Sequence, residues 1–178
     1  MKRDNQTIFK RIIIAVFIVF VLVLLVLVTG HYLLEGAKVR LLCKTDHQAL
    51  LEACNELSKQ LAQGSLKPGQ YEVLIGPAPE VSKFPRPILK LRPRYVYIDN
   101  TGYVAVEMTG ALDLHFGVRA YPEDFEGRFK GFEYRDKELI PRLWYYDDGY
   151  IGHPEYDKRI DRLIQKGKAK QKEKTEHR

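Results

Sequence analysis

The sequence predicts an α+β fold carried on one N-terminal transmembrane helix: a small antiparallel sheet of three to five strands, packed on one face by a helix and followed by a C-terminal helix. Three features point there. Ile12 to Leu34 contains no Asp, Glu, Lys or Arg. Apolar residues then recur at helical spacing within residues 46–62. Alternating apolar and polar residues flank a turn at Asp99-Asn100-Thr101-Gly102.

The apolar run comes first. A spanning helix needs about 20 apolar residues at ~1.5 Å rise each to cross ~30 Å of hydrocarbon. Lipid offers no partner for backbone N–H and C=O groups, so the segment must satisfy them internally. Residues 12–34 meet the requirement, and Ile12 to Val28 is unbroken Ile, Val, Leu, Phe and Ala. Lys2, Arg3, Lys10 and Arg11 crowd the short segment 1–11, whereas the other flank begins with Glu35 and is more sparsely basic. The positive-inside rule therefore expects a cytoplasmic N-terminus, with the folded region outside the cell membrane. A cleaved signal peptide is the competing reading. The run exceeds the usual h-region of ~7–15 residues and no A-x-A sequence follows it, which favours an uncleaved signal anchor. With Ala15 the only small residue in the middle of the run, nothing invites close helix dimerisation.

Residues 35–165 suit one domain with one core. Eleven Tyr and eight Phe argue against disorder in a chain of 178 residues. The net charge of +6 sits largely in the segment 166–178, where Lys166, Lys168, Lys170, Lys172, Lys174 and Arg178 outnumber Glu173 and Glu176. That segment reads as a basic, solvated tail without apolar periodicity. The domain is near neutral, so no nucleic-acid partner is expected. On one helix Cys43 and Cys54 would lie ~16 Å apart, too far for a disulfide, whereas Cys43 in a turn before the helix would permit one; two small buried thiols is the favoured expectation.

Thr45 or Asp46 is expected to cap the 46–62 helix, with Thr45-x-x-Gln48 matching a capping box. Leu50, Cys54, Leu57 and Leu61 form its stripe, and Gly64 ends it. The apolar helix itself is expected to run on to this region, with Gly36 as a soft joint. Six of the nine prolines fall between residues 68 and 93, which predicts an extended connection. Within it, Tyr71 to Ile75 reads as a short edge strand and Ile88 to Leu91 as one helical turn. Strands are expected at Tyr95–Asp99, Tyr103–Thr109, Leu112–Tyr121 and Leu139–Tyr146, the last with Pro141 early in it. Pro154 opens the final helix, whose stripe is Tyr156, Ile160, Leu163 and Ile164.

Alternation assigns one sheet face to Val96, Ile98, Val104, Val106 and Met108. The opposite face gathers Tyr95, Tyr97, Tyr103, Asp113, His115 and Arg119, the candidate binding surface. Rigid rings with polar tips beside Arg and His are the side chains that binding surfaces use, although a solvated antiparallel face carries them too. Asp113-x-His115 places two ligand types on one strand face, half of what zinc requires, and Asp147 is the third residue of a hydrolytic or metal-dependent alternative. No G-x-S-x-G, phosphate-cradling glycine loop or cofactor motif is present, and no cofactor is expected. The functional expectation is a membrane-anchored, extracytoplasmic binding or scaffolding domain with an envelope protein or polymer as partner. A membrane-bound hydrolase or metal-dependent enzyme, and a subunit of a larger membrane complex, are the alternatives.

Overall fold

The computed structural model describes residues 2–75, 79–109, 115–123, 136–148 and 153–176. By contacts the chain divides into Met1–Gly36 and Ala37–Arg178. The first unit is helix, the bulk of α1, which spans Lys2–Val39. Every apolar side chain described from Ile13 to Val28 other than Ala15 is between 42% and 68% exposed. A helix apolar on all sides and covered by none of its own chain is long and apolar enough to cross a membrane, with a mean hydropathy of 3.3 over its best window.

No break occurs at Gly36, where a soft joint was expected. The irregularity comes later, as a π-helical turn at Arg40–Lys44. It closes when both the backbone N–H and Oγ1 of Thr45 donate to the Arg40 carbonyl, each at 3.0 Å. This occupies Thr45, so the capping box expected with Gln48 does not form. Asp46 caps α2 (His47–Ala62) instead, its carboxylate accepting from the Ala49 N–H at 3.0 Å. Leu50, Leu51, Ala53, Cys54 and Leu57 are buried along α2. The helix ends in paired bonds from Gly64 N–H to Leu61 O and from Ser65 N–H to Gln60 O, a Schellman closure.

The sheet has six antiparallel strands in the order β1-β2-β3-β4-β6-β5, one more than the upper expectation. These are β1 (Gly69–Glu72), β2 (Tyr95–Ile98), β3 (Val104–Thr109), β4 (His115–Ala120), β5 (Lys137–Ile140) and β6 (Leu143–Asp147). The extra strand comes from dividing what read as a single strand from Leu139 to Tyr146. Pro141 and Arg142 form a two-residue turn between β5 and β6, with Arg142 at φ 70°. Pro suits the first corner of a type II turn, but the second normally takes Gly or Asn. Arg there hides the turn from sequence. The proline-rich stretch is also less extended than expected. It folds into a 3-10 turn at Pro79–Lys83 and a six-residue helix, α3 (Arg86–Leu91), with Pro85 as its N-cap and a further Pro in its first turn, where a missing N–H costs nothing.

Pairing fixes which residues share a face. Val96, Val106, Val118 and Tyr145 align across four strands, as do Ile98, Val104, Ala120 and Leu143. All are buried to 3% exposure or less, and α2 lies over this face through β3, β4 and β5. Its C-terminal end is tied to the β2–β3 turn, where the Ser58 hydroxyl donates to Gly102 O at 2.6 Å. Gly102, at φ 83° with its α-carbon facing Ser58, accepts a conformation that side chains resist.

Helix α4 (Pro154–Glu176) continues well past residue 166, where a disordered tail was expected. The cause is Gly167. It is buried against the π-turn, and a Cβ there would overlap the Leu42 carbonyl oxygen. The Cys43 thiol donates to Leu163 O at 3.2 Å and the Gln171 amide to Thr45 O at 3.0 Å. Packing, not apolar periodicity, thus carries the helix into its basic half.

Gly167→Ala tests this contact. Better helix propensity returns about 1 kcal/mol, but overpacking against backbone costs ~1–3 kcal/mol. The variant is expected to unfold at lower urea concentration than wild type in detergent. Gly30→Ala, which meets nothing within 4 Å, should not.

Candidate functional site

The sheet face opposite α2 collects the candidate residues. Tyr95 pairs with Glu107, Tyr97 with Ala105, Ala105 with Arg119 and Arg119 with Trp144, and directly paired residues point to the same side. His115 lies on that side too, paired with Thr109. Tyr103 joins at the end of the β2–β3 turn, its ring 6.2 Å from Tyr97 and 5.4 Å from Tyr121. Five of the six candidates therefore share one surface. Asp113 lies outside the described residues.

The face has an accessible part and a closed part. Tyr97 is 44% exposed, and the His115 side chain 37%. His115 Nδ1 is 2.7 Å from Glu107 Oε1, and the Arg94 guanidinium stacks on Tyr95 at 4.8 Å. Arg119 is more enclosed. It bonds Asp136 at 2.6 Å and lies over the Tyr146 ring at 4.1 Å. Burial works against the Arg119 charge, but the Asp136 carboxylate and Tyr103 outweigh it and hold the guanidinium firmly protonated. Burial likewise pushes the Tyr103 and Tyr146 hydroxyls well above the ordinary tyrosine range. They serve as neutral polar groups and rigid ring area. Sequence reading found the Tyr and Arg residues but missed Asp136, Trp144 and Tyr146. The latter two alternate with Leu143 and Tyr145, and were legible as the outer face of a strand.

The hydrolytic set comes apart on this sheet. Asp147 pairs with Phe116, the neighbour of His115, so Asp147 and His115 point to opposite faces. Asp147 belongs to the buried face, where its carboxylate is 2.6 Å from Lys38 Nζ, both side chains being 1% exposed. Tyr145 and Tyr156 donate to the same carboxylate oxygen at 2.9 and 2.5 Å, and Lys38 donates to Tyr156 at 2.7 Å. The ammonium also lies 5.3 Å from the centre of the Phe116 ring and 5.0 Å from that of Tyr156, a favourable cation–π setting. The sequence expectation for Asp147, a member of a hydrolytic set, misses this role, because nothing local distinguishes Lys38 from a solvated lysine. Among the described residues, no three His, Cys, Asp or Glu side chains are grouped to hold a metal ion.

Two further features bear on chemistry. Cys43 and Cys54 are buried and unbridged, and burial raises the Cys54 thiol to about 12, so it stays protonated. A groove of about 520 Å³ opens between the end of α2 and the β2–β3 turn, lined by residues including Leu61, Leu66, Lys67, Asn100 and Pro122. Compared with protein families, curated proteins and solved structures, the chain matches none.

Lys38→Met should destabilise the fold by ~3–5 kcal/mol by leaving a buried carboxylate without its cation. Lys38→Met combined with Asp147→Leu should recover much of that loss, read from urea midpoints. A second expectation concerns His47, which is buried with Nε2 at 3.0 Å from the Leu41 carbonyl and Nδ1 unpartnered. Burial holds its imidazole below the ordinary value of 6.5. Between its depressed value and 6.5 the unfolded chain binds the extra proton, so stability is full above 6.5 and falls as pH drops below it. The fall can reach about 1.4 kcal/mol per pH unit for one group. His47→Gln should flatten this part of the urea-midpoint profile between pH 7.5 and 5.

Proposed function

We propose that the chain is a membrane-anchored binding module: α1 crosses the cell membrane, and the α+β unit outside the cytoplasm engages an envelope protein or polymer through its Tyr-rich sheet face. The observation that carries the reading is the juxtaposition of a bare apolar helix with a packed core. Exposed apolar side chains wrap α1 from Ile13 to Val28, yet Lys38, four residues beyond Leu34, is already fully buried in the second unit. The chain thus passes from bare apolar helix to packed core within a few residues. The basic flank at Lys10 and Arg11 favours the outward orientation. The apolar run also exceeds an h-region of ~7–15 residues and no A-x-A sequence follows it, and this favours retention of the anchor.

Binding is favoured over catalysis because the strongest polar constellation, Lys38 with Asp147, is closed to solvent and faces away from His115. The opposite face offers Tyr97, Tyr95 and His115 beside the Arg119–Asp136 pair, which fixes the ring of Tyr146 and stiffens the surface. Preorganised aromatic area of this kind binds at low entropic cost.

Expressed in cells, the full chain should stay in the membrane pellet through alkaline carbonate and run at its whole mass of 20.7 kDa. A shorter, carbonate-soluble product would identify a cleaved leader instead. A reporter fused after Arg178 should be active only outside the cytoplasm. A photo-crosslinker at Tyr97 should capture a discrete partner that one at exposed Lys83 does not, and identical captures from both positions would remove the face from the proposal.

A further inference from the structure

Pairing on the sheet face opposite α2 lines up one side chain from each of the six strands: Gln70, Tyr97, Ala105, Arg119, Trp144 and Glu138. Neighbouring strands lie ~4.8 Å apart, so the row is roughly 24 Å long and sets the backbones of Tyr97 and Trp144 about 14 Å from one another. Between the two rings come Ala105, half-buried, and Arg119, whose side chain is 12% exposed and lies over the Tyr146 ring at 4.1 Å. Tyr97 stands well clear of them at 44% exposure. Gln70 and Glu138 are exposed at the two ends of the row.

That order is the reverse of a protein interface, which gathers aromatic anchors at its centre and leaves polar groups to the rim. Nor does charge select an ionic partner. Among the described residues of this face, Arg119 is committed to Asp136, His115 lies against Glu107 and Arg94 stacks on Tyr95. These cations form no track for nucleic acid or another polyanion. The row instead presents ring area at an interval, with an amide and a carboxylate beyond it. A chain of pyranose sugars is the complement of such a surface. The apolar C–H face of a sugar, slightly positive, covers the negative face of a ring. Its hydroxyl edges both donate and accept, which matches the exposed Gln70 amide and Glu138 carboxylate. We infer that this row binds a linear, uncharged glycan laid across the strands, with Tyr97 and Trp144 as its stacking platforms. The inference rests on the binding reading above and selects the polymer over the protein as partner.

Trp144 is the single tryptophan of the chain, so its fluorescence reports on this row and on no other surface. The full chain is held in lysophosphatidylcholine micelles, which bring neither sugar nor tryptophan. It is titrated with cellohexaose, N-acetylchitohexaose or maltohexaose. At least one of the three should shield Trp144 from acrylamide, saturably and at millimolar concentration. Raising salt to ~0.5 M should leave that shielding unchanged. Tyr97→Ala, at an unchanged urea midpoint, should weaken binding at least about tenfold through loss of an aromatic anchor. Tyr97→Phe keeps the ring and should stay within about twofold of wild type. Gln70→Ala, at an exposed position that the core does not need, should weaken binding about threefold through one lost hydrogen bond. Shielding by none of the three sugars overturns the inference, as does equal shielding in wild type, Tyr97→Ala and Gln70→Ala. Shielding that salt abolishes overturns it in favour of an ionic ligand. Failure with all three sugars while a crosslinker at Tyr97 captures a discrete protein overturns the glycan and leaves the binding reading standing. Failure of both experiments removes the binding reading as well.

Discussion

The ion pair between Lys38 and Asp147 is the constraint around which the second unit is arranged. Each charge is withdrawn from water, a cost of several kcal/mol per ion that only close geometry and further hydrogen bonds offset. Those bonds come from three elements: Lys38 ends α1, Asp147 and Tyr145 end the sheet on β6, and Tyr156 begins α4. None of the three can shift without stranding a charge. The pair therefore specifies where α1 stops being a free apolar rod and becomes part of a core. Around it, the π-turn inserts Leu41, Leu42 and Cys43 as buried residues, and α4 closes over them.

A second consequence is the division of labour between the two sheet faces. The helix-covered face spends Asp147 on Lys38 and, on its edge strand, Lys137 on Asp161, so its polar chemistry is structural. The other face keeps His115 with Glu107 and Arg94 on Tyr95 in smaller, partly open arrangements, beside the more enclosed pair of Arg119 and Asp136. Open arrangements can exchange partners where closed ones cannot. That difference in exposure, more than residue type, separates the two faces.

Much of this architecture was legible in the sequence, because it depends on periodicity. Ile12–Leu34 announces itself by the absence of charge, α2 by a stripe of Leu50, Cys54 and Leu57, and the β2–β3 hairpin by alternation about Gly102. What escaped detection depends on contacts between distant residues or on residues in atypical roles. Arg142 occupies a left-handed corner usually reserved for Gly, so β5 and β6 read as one strand. Lys38 looks like any juxtamembrane lysine until Asp147 is placed beside it. Thr45 resembles a cap but serves the π-turn. A helix through Lys166 to Lys172 has no apolar stripe to advertise it, since its inner side is carried by Gly167 and Gln171. For the candidate face, strand alternation was enough to group five residues, but Asp136, which restrains Arg119, arrives from beyond a connection whose course no local pattern reveals.

The strands and helices also set a timetable. Lys38 bonds Tyr156 across 118 positions, Cys43 bonds Leu163 across 120, and Gln171 bonds Thr45 across 126. The earliest-made part of the unit is completed only by the last-made part. On a ribosome releasing the chain from its N-terminus, α1 is available to a membrane long before its neighbouring residues find their partners. Until α4 emerges, Leu41, Leu42 and the ammonium of Lys38 have no core to enter. The unit therefore completes its fold only when residue 171 is available, and a chain stalled before it would hold α1 with an unfinished domain attached.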